Sequence, residues 1–400
     1  MCERPQLTRS GLLCKLQKII LMGIFVRWTY LPWPLIGFLL VTGCNHRAGE
    51  IRIGVAGPMT GDQSKLGQDL QRGVEVAVEE WNQKGGVLGR RILLEIGDDQ
   101  HDPKQAVLVA NKFVDSSMVG VIGHFNSSAS IPASSVYHEG HIPMITPAST
   151  NPQLTEQGYE NVFRLCGKDD QQGKIAAEFV VNRLKAVRVA ILHDKTTYGQ
   201  GLGDLFRKNL EELGRGSFKV VYQGGITQGD KDFRGVLTSI AEARPDLIYF
   251  GGIYPEGGLI IRQAKELGLS APMMSGDGVI DPKFLEIAGP AAQGTYLTFG
   301  PDPKAVPQGR RFVEKYRTRF GAEWAPYAIY AYDSANLLIT AIEKAGTTDG
   351  KKVAEALHRV KYDGALGRIE FDSRGDIKKS PYVVWIAGTG EFKEYWAPPE

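Results

Sequence analysis

Apolar and polar positions alternate along this chain in two rhythms. Short apolar runs over 51–57, 92–96 and 119–123 have the length of buried strands. Between them, apolar residues return every three or four positions. Leu70, Val74, Ala77, Val78 and Trp81 make such a stripe over 68–83, which Gly85-Gly86 ends. Val107, Ala110, Phe113 and Val114 make another behind Asp102-Pro103, an N-cap followed by proline at the first helical position. A helix over 129–138 and a strand over 143–146 continue the series. Further on, helices over 171–184, 201–213, 232–242 and 256–267 alternate with strands over 187–192, 219–222 and 247–251. This alternation predicts an α/β protein of βαβ units, with parallel sheets covered on both faces. About four units precede residue 150 and about four more follow to residue 290, which fits two doubly wound parallel-sheet lobes better than one large sheet. Beyond residue 300 the pattern turns helical, over 308–320, 327–345 and 349–360. The tail over 367–395 reads as strands and turns.

The first 43 residues stand apart. They carry five basic residues and one acid, then an apolar stretch from Leu31 to Thr42 that ends in Val41-Thr42-Gly43-Cys44. Basic residues, an apolar run and small residues at a cut site describe a secretory signal peptide. Pro32 and Pro34 interrupt the run, which is too short for a membrane span. The last four residues resemble the lipobox of bacterial lipoproteins, which implies removal of 1–43 and acylation of Cys44. Met22 would give a tidier start to this signal than Met1.

Composition changes the picture mainly through that segment. The chain holds 47 basic and 45 acidic residues, a net +2. Without 1–43 the balance becomes 42 to 44, a net −2, so nothing marks a nucleic-acid binder. The composition, 42% hydrophobic and 23% charged, is that of an ordinary globular chain. Only Cys44 and Cys166 remain after cleavage, and a lipidated Cys44 leaves no internal disulfide. Cys166 lies among Val162, Phe163 and Leu165 and reads as a buried small hydrophobe.

No enzymatic constellation stands out. Hydrolase elbow, zinc helix, CxxC pair and phosphate loop are all missing from the sequence, and no cofactor is expected. Gly199, Gly201 and Gly203 have the wrong spacing for a dinucleotide loop. Asp98, Asp99, His101 and Asp102 suit a strand-end loop and helix cap better than a metal cluster. The informative segments follow strands, where open parallel sheets bind ligands. One strand leads into His124-Phe125-Asn126-Ser127-Ser128, another into Pro147-Ala148-Ser149-Thr150. Both precede helices, whose N-termini favour a carboxylate, although each hydroxyl is also a plausible N-cap. Asp277 follows a third apolar run between Gly276 and Gly278. It suits a ligand ammonium, with a plain turn aspartate as the alternative.

These residues resemble the leucine/isoleucine/valine-binding protein family, solute-binding components of amino-acid ABC importers. The matching strings span most of the chain. They include Asp102-Pro103-Lys104-Gln105-Ala106, Val121-Ile122-Gly123-His124 and Met144-Ile145-Thr146-Pro147-Ala148. His193-Asp194-Lys195, Tyr198-Gly199, Gly225-Ile226-Thr227 and Asp232-Phe233 follow. The resemblance implies a type I periplasmic-binding fold with lobes at 44–167 plus 303–370 and at 168–302 plus 371–400, joined by three crossovers. It implies that Ser127 and Thr150 hold the ligand carboxylate, within loops that include Ser149. Ala148 and Asp277 take the ammonium, and Tyr198 lines the cleft. Leu66 and Ile253 stand where the family has pocket aromatics, and Tyr254 would point elsewhere from an extended segment. His101 and Asn126 stand where some members have a disulfide. The expected ligand is an apolar, branched-chain type L-amino acid, with permease subunits as membrane partners. Another solute (an amide, urea or an aromatic acid) or a sensory role on the same fold is the alternative.

Overall fold

The computed structural model describes residues 49–214 and 216–398. The signal segment 1–43 and Cys44 lie outside the described residues. Five strands form the first sheet: β1 (Ile51–Gly57), β2 (Ile92–Asp98), β3 (Gly120–Ile122), β4 (Met144–Thr146) and β5 (Val162–Arg164). All pair in parallel, in the order β2-β1-β3-β4-β5. All of β1 except Arg52 is buried, as a central strand covered on both faces requires. Helices α1 (Ser64–Gln83), α2 (Pro103–Asp115) and α3 (Ser127–Glu139) accompany this sheet, with a single turn, α4 (Gln153–Glu156). Asp102 caps α2, accepting from the backbone N–H groups of Lys104 and Gln105. Such a cap is worth about 1 kcal/mol.

The chain then builds the second sheet from β6 (Arg188–His193), β7 (Lys219–Gly225), β8 (Leu247–Gly251), β9 (Met273–Ser275) and β10 (Tyr296–Phe299). Helices α5 (Asp169–Phe179), α6 (Thr197–Gly214), α7 (Arg234–Glu242), α8 (Tyr254–Glu266) and α9 (Pro282–Ala288) intervene. After β10 the chain returns to the first sheet through α10 (Pro307–Phe320), α11 (Ala328–Ala345), α12 (Gly350–Arg359) and the hairpin β11 (Tyr362–Gly364)–β12 (Gly367–Ile369). Helix α11 packs on α1 and on β3, with Trp81 donating to Asn336 Oδ1 at 3.0 Å. The last strands, β13 (Val383–Ala387) and β14 (Phe392–Trp396), cross back to the second sheet. That sheet runs β14-β13-β10-β9-β8-β6-β7, and its last two strands are antiparallel.

The sequence pattern differs from this at several elements, among them α6, which starts at Thr197, four residues before the expected start. Strands β5 and β10 and helix α9 go unread, because three to seven residues carry little periodicity. The helix expected over 171–184 is α5 followed by a π-turn, Val180–Leu184. Helix α1 starts at Ser64, four residues before the expected start. Tyr254 is the first residue of α8 and not part of an extended segment, and its hydroxyl donates to Asp62 O at 2.9 Å.

Each sheet has a point where strand order reverses: beside β1 in the first, beside β6 in the second. Connections leaving adjacent strands there turn to opposite faces and open a crevice at the carboxyl ends. The two crevices face one another.

Candidate functional site

A cavity lies between the strand ends of the two sheets. On the first-sheet side it is lined by Phe125, Asn126, Ser127 and Ser128, which follow β3, and by Ala148, which follows β4. On the other side stand Asp194, Thr196 and Tyr198 after β6, and Gln228 after β7. Ile253 follows β8, and Asp277 and Gly278 follow β9. Tyr327, just before α11, closes the set.

Ser127 is the first residue of α3, so the Ser127 and Ser128 N–H groups lack helical partners at the positive end of the dipole, while Ala129 and Ser130 N–H already donate to Asn126 O. The Ser127 hydroxyl accepts from Asn151 N–H at 3.3 Å, tying this loop to the next one. Beneath lies a framework of buried polar groups. His124 Nδ1 meets Asp99 Oδ2 at 2.6 Å, and His124 Nε2 meets the Tyr137 hydroxyl at 3.0 Å. Ser149 is part of it: its hydroxyl reaches Ser130 at 2.6 Å and Phe125 O at 2.8 Å. Arg164 completes it. This fully buried guanidinium donates to Asp376 Oδ1 (2.8 Å), Ser149 O (3.0 Å), Asn151 O (2.7 Å) and Thr155 Oγ1 (2.6 Å). Its charge is matched by a carboxylate and its remaining donors hold the 148–151 loop from below, so its burial is tolerable.

On the other wall Asp277 is the central group. Gln172 Nε2 and the Tyr198 hydroxyl both donate to its Oδ1, at 3.0 and 2.8 Å. Gln172 Oε1 accepts from Asp277 N–H (3.1 Å) and Thr298 Oγ1 (2.8 Å), and Tyr327 donates to Asp277 O at 3.0 Å. Burial raises the Asp277 pKa, and the hydrogen bonds from Gln172 and Tyr198 pull against that shift. Burial and the neighbouring Asp277 charge push the Tyr198 phenol far above its usual range, so it stays a donor. The flanking glycines are required. A Cβ on Gly276 would lie 2.4 Å from Leu202 Cδ2 and 2.8 Å from the Tyr198 hydroxyl. One on Gly278 would lie 2.5 Å from Gly252 O.

Ser127, Ala148, Tyr198, Ile253 and Asp277 thus meet at one cavity. Thr150 and Ser149 are buried and are not part of its lining. Thr150 Oγ1 and Asp169 Oδ2 are both buried without a hydrogen-bond partner, although the hydroxyl lies near enough to oppose the raised pKa of Asp169. Burial, then the Asp277 charge, causes that rise. Leu66 lies in α1, buried in the apolar cluster that also holds Phe125, Ala148 and Tyr327, and is not itself part of the cavity lining. Gln172, Tyr327, Asp194 and Gln228 were not singled out from sequence. Only Asp194 carried a signal, within the His193-Asp194-Lys195 string. The acids Asp98 and Asp102 are occupied as loop and cap acceptors, Asp98 from Met59 and Thr60 and Asp102 from Lys104 and Gln105. Cys166 is buried, and burial raises its thiol pKa far above the usual range.

The cavity lining contains two acids and no basic side chain, set opposite a helix N-terminus. One parallel and one mixed sheet whose strand ends face each other over such a cavity make the arrangement of a solute-binding protein. Residues 50–385 match the family model described as periplasmic binding protein, and the chain belongs to that family, in its leucine/isoleucine/valine-binding group. It is 45% identical over 344 residues to an amino acid binding protein of Pseudomonas aeruginosa, covering 85% of this chain and 91% of the relative. It is 44% identical over 347 residues to Leu/Ile/Val-binding protein homolog 2 of Brucella abortus, covering 86% and 92%. Among solved structures it resembles the leucine binding protein LivK of Thermotoga maritima, with a TM-score of 0.81 and 35% identity over 86% of this chain and 97% of that one.

Proposed function

We propose that this protein is an extracytoplasmic solute-binding lipoprotein of an ABC importer, clamping an apolar, branched-chain type L-α-amino acid between two closing lobes. The lobes are 44–167 with 303–370 and 168–302 with 371–400. The observation that carries this reading is the pairing of Asp277 with the α3 N-terminus across one cavity. A zwitterion needs an anion for its ammonium and oriented N–H and O–H donors for its carboxylate. Ser127 and the α3 first turn supply the donors, with Thr150 behind them. Asp277 and the Ala148 carbonyl receive the ammonium. Phe125, Ile253 and the Tyr327 ring give the side chain apolar surface.

The walls are fastened to each other around the cavity. Lys231 Nζ meets Asp62 Oδ2 at 2.7 Å, Tyr254 donates to Asp62 O, and Asn151 donates to Thr197 O at 2.9 Å. These contacts belong to a closed arrangement, and hinge opening at the crossovers would break them to admit the ligand. The Brucella relative is a Leu/Ile/Val-binding protein homolog and the Thermotoga one a leucine binding protein, which agrees with this chemistry. No catalytic step is assigned. The closed face would dock on permease subunits while acylated Cys44 tethers the protein to the membrane.

Calorimetric titration tests the ligand: leucine, isoleucine or valine should bind with one-to-one stoichiometry. Failure of all three and of phenylalanine would reject the reading. Fractionation tests the anchor: Cys44→Ser should leave the membrane fraction, and unchanged membrane association at the same mass would reject the lipoprotein assignment.

A further inference from the structure

The handles for the amino and carboxylate groups use only part of the cavity. The remaining lining is not uniformly apolar: Asn126, Ser128, Asp194, Thr196 and Gln228 share it with Phe125, Ile253 and Tyr327. Asp194 is the most telling of these. Its side chain is 2% exposed, and its Oδ1 accepts from Thr196 N–H (2.9 Å) and the Thr196 hydroxyl (2.6 Å). Its Oδ2 is buried and, among the described residues, has no donor. Across the cavity Asn126 gives its Nδ2 to Gln63 Oε1 at 2.8 Å and leaves Oδ1 buried and unpartnered as well. Buried acceptors without a donor are costly and uncommon, and each calls for an explanation. Two such acceptors on the walls of a ligand cavity are explained by a ligand that donates to them.

We infer that this end of the cavity is a second polar subsite, in which Asp194 accepts a hydrogen bond from the side chain of the ligand. Side chains of branched-chain size that carry a hydroxyl or an amide N–H then bind more tightly than their apolar isosteres. This rests on the reading of the cleft as an α-amino-acid site and adds a preference that the Asp277 and Ser127 handles do not provide. Isosteric pairs isolate it. Threonine replaces one methyl of valine by a hydroxyl, and asparagine replaces the two methyls of leucine by an amide.

The test is calorimetric titration of the purified protein with valine, threonine, leucine and asparagine. The polar member of at least one pair should bind about tenfold more tightly, because the apolar member leaves a buried acceptor unpaired. Asp194→Asn keeps an acceptor for Thr196 and puts an N–H in place of Oδ2, so it should remove that preference while valine still binds. Tighter binding of the apolar member in both pairs would overturn the subsite and leave the amino-acid reading standing. A preference unchanged in the Asp194→Asn protein would also overturn it. If that variant does not fold, the pairs measured on the unaltered protein decide. Binding of none of the four would reject the amino-acid reading itself, and the subsite with it.

Discussion

The two walls of the cleft solve different electrostatic problems. The first-sheet wall offers an anion the N–H groups of α3 and neutral hydroxyls, and its ionic support, Arg164 with Asp376, lies behind the surface. The second-sheet wall holds two buried carboxylates, Asp277 and Asp194, and meets the ligand ammonium with Asp277, steadied by Gln172, Tyr198 and Tyr327. A wall of many small dipoles spreads its contribution over several groups. A wall that meets the ammonium with one carboxylate concentrates it. Losing one contact should therefore be tolerated on the first wall and ruinous on the second.

Asp277→Ala probes that contrast most sharply. It leaves a bound ammonium buried and unpaired, which costs about 3–5 kcal/mol, or about 150-fold to 4,000-fold in leucine affinity by calorimetry. Arg164→Met should act on stability in place of binding chemistry. It strands Asp376, of which Lys168 at 3.3 Å is the other cationic neighbour, and should remove about 3–5 kcal/mol in denaturant unfolding. Ser127→Ala removes one donor among several and should weaken leucine by about tenfold to a hundredfold, the range for a hydrogen bond to a charged group. If Ser127→Ala costs as much as Asp277→Ala, the contrast between the walls is wrong.

Acidity separates the walls in another way. Burial raises the Asp277 pKa, so leucine affinity should fall on acidification while pH is still above the ordinary carboxylate range. Stability of the empty protein should run the opposite way. Burial lifts Asp69 and Asp194 from 3.8 to about 6 and Asp333 to about 7. Groups with raised folded-state pKa values bind more protons folded than unfolded. Their contribution is complete below the unfolded value and is lost as pH rises through 6 to 7. The melting temperature of the unliganded protein should drop between pH 5 and pH 8. The smallest effect belongs to the rim. Asp62→Ala removes an exposed ion pair with Lys231 worth about 0–1 kcal/mol, and should weaken leucine by no more than about fivefold.

The same contrast governs what could be read from the chain. β1 and β8 match their expected bounds, because each is a short apolar run between turn residues. The first wall is legible because its groups are contiguous: Ser127 and Ala148 follow their strands by a few residues. Asp277 was found by its glycines and Tyr198 by resemblance, but Gln172 and the bonds that join all three were not. Gln172 and Tyr198 lie 105 and 79 positions away, and no local pattern joins them. Arg164 was hidden for the same reason. A charged residue in a three-residue strand looks like a break, and its partner Asp376 is 212 residues distant. Leu66 was placed at the pocket by resemblance alone; it is buried in α1, in the same apolar cluster as Phe125, Ala148 and Tyr327, which line the cavity.

The central claim is that one cavity grips both charged ends of an α-amino acid. Calorimetric titration with leucine, with 4-methylpentanoate, which lacks the ammonium, and with 3-methylbutylamine, which lacks the carboxylate, measures it directly. Leucine should bind, and each truncated analogue should bind at least about a hundredfold more weakly, because each leaves one wall without its counter-group. An analogue that binds as tightly as leucine would contradict the account.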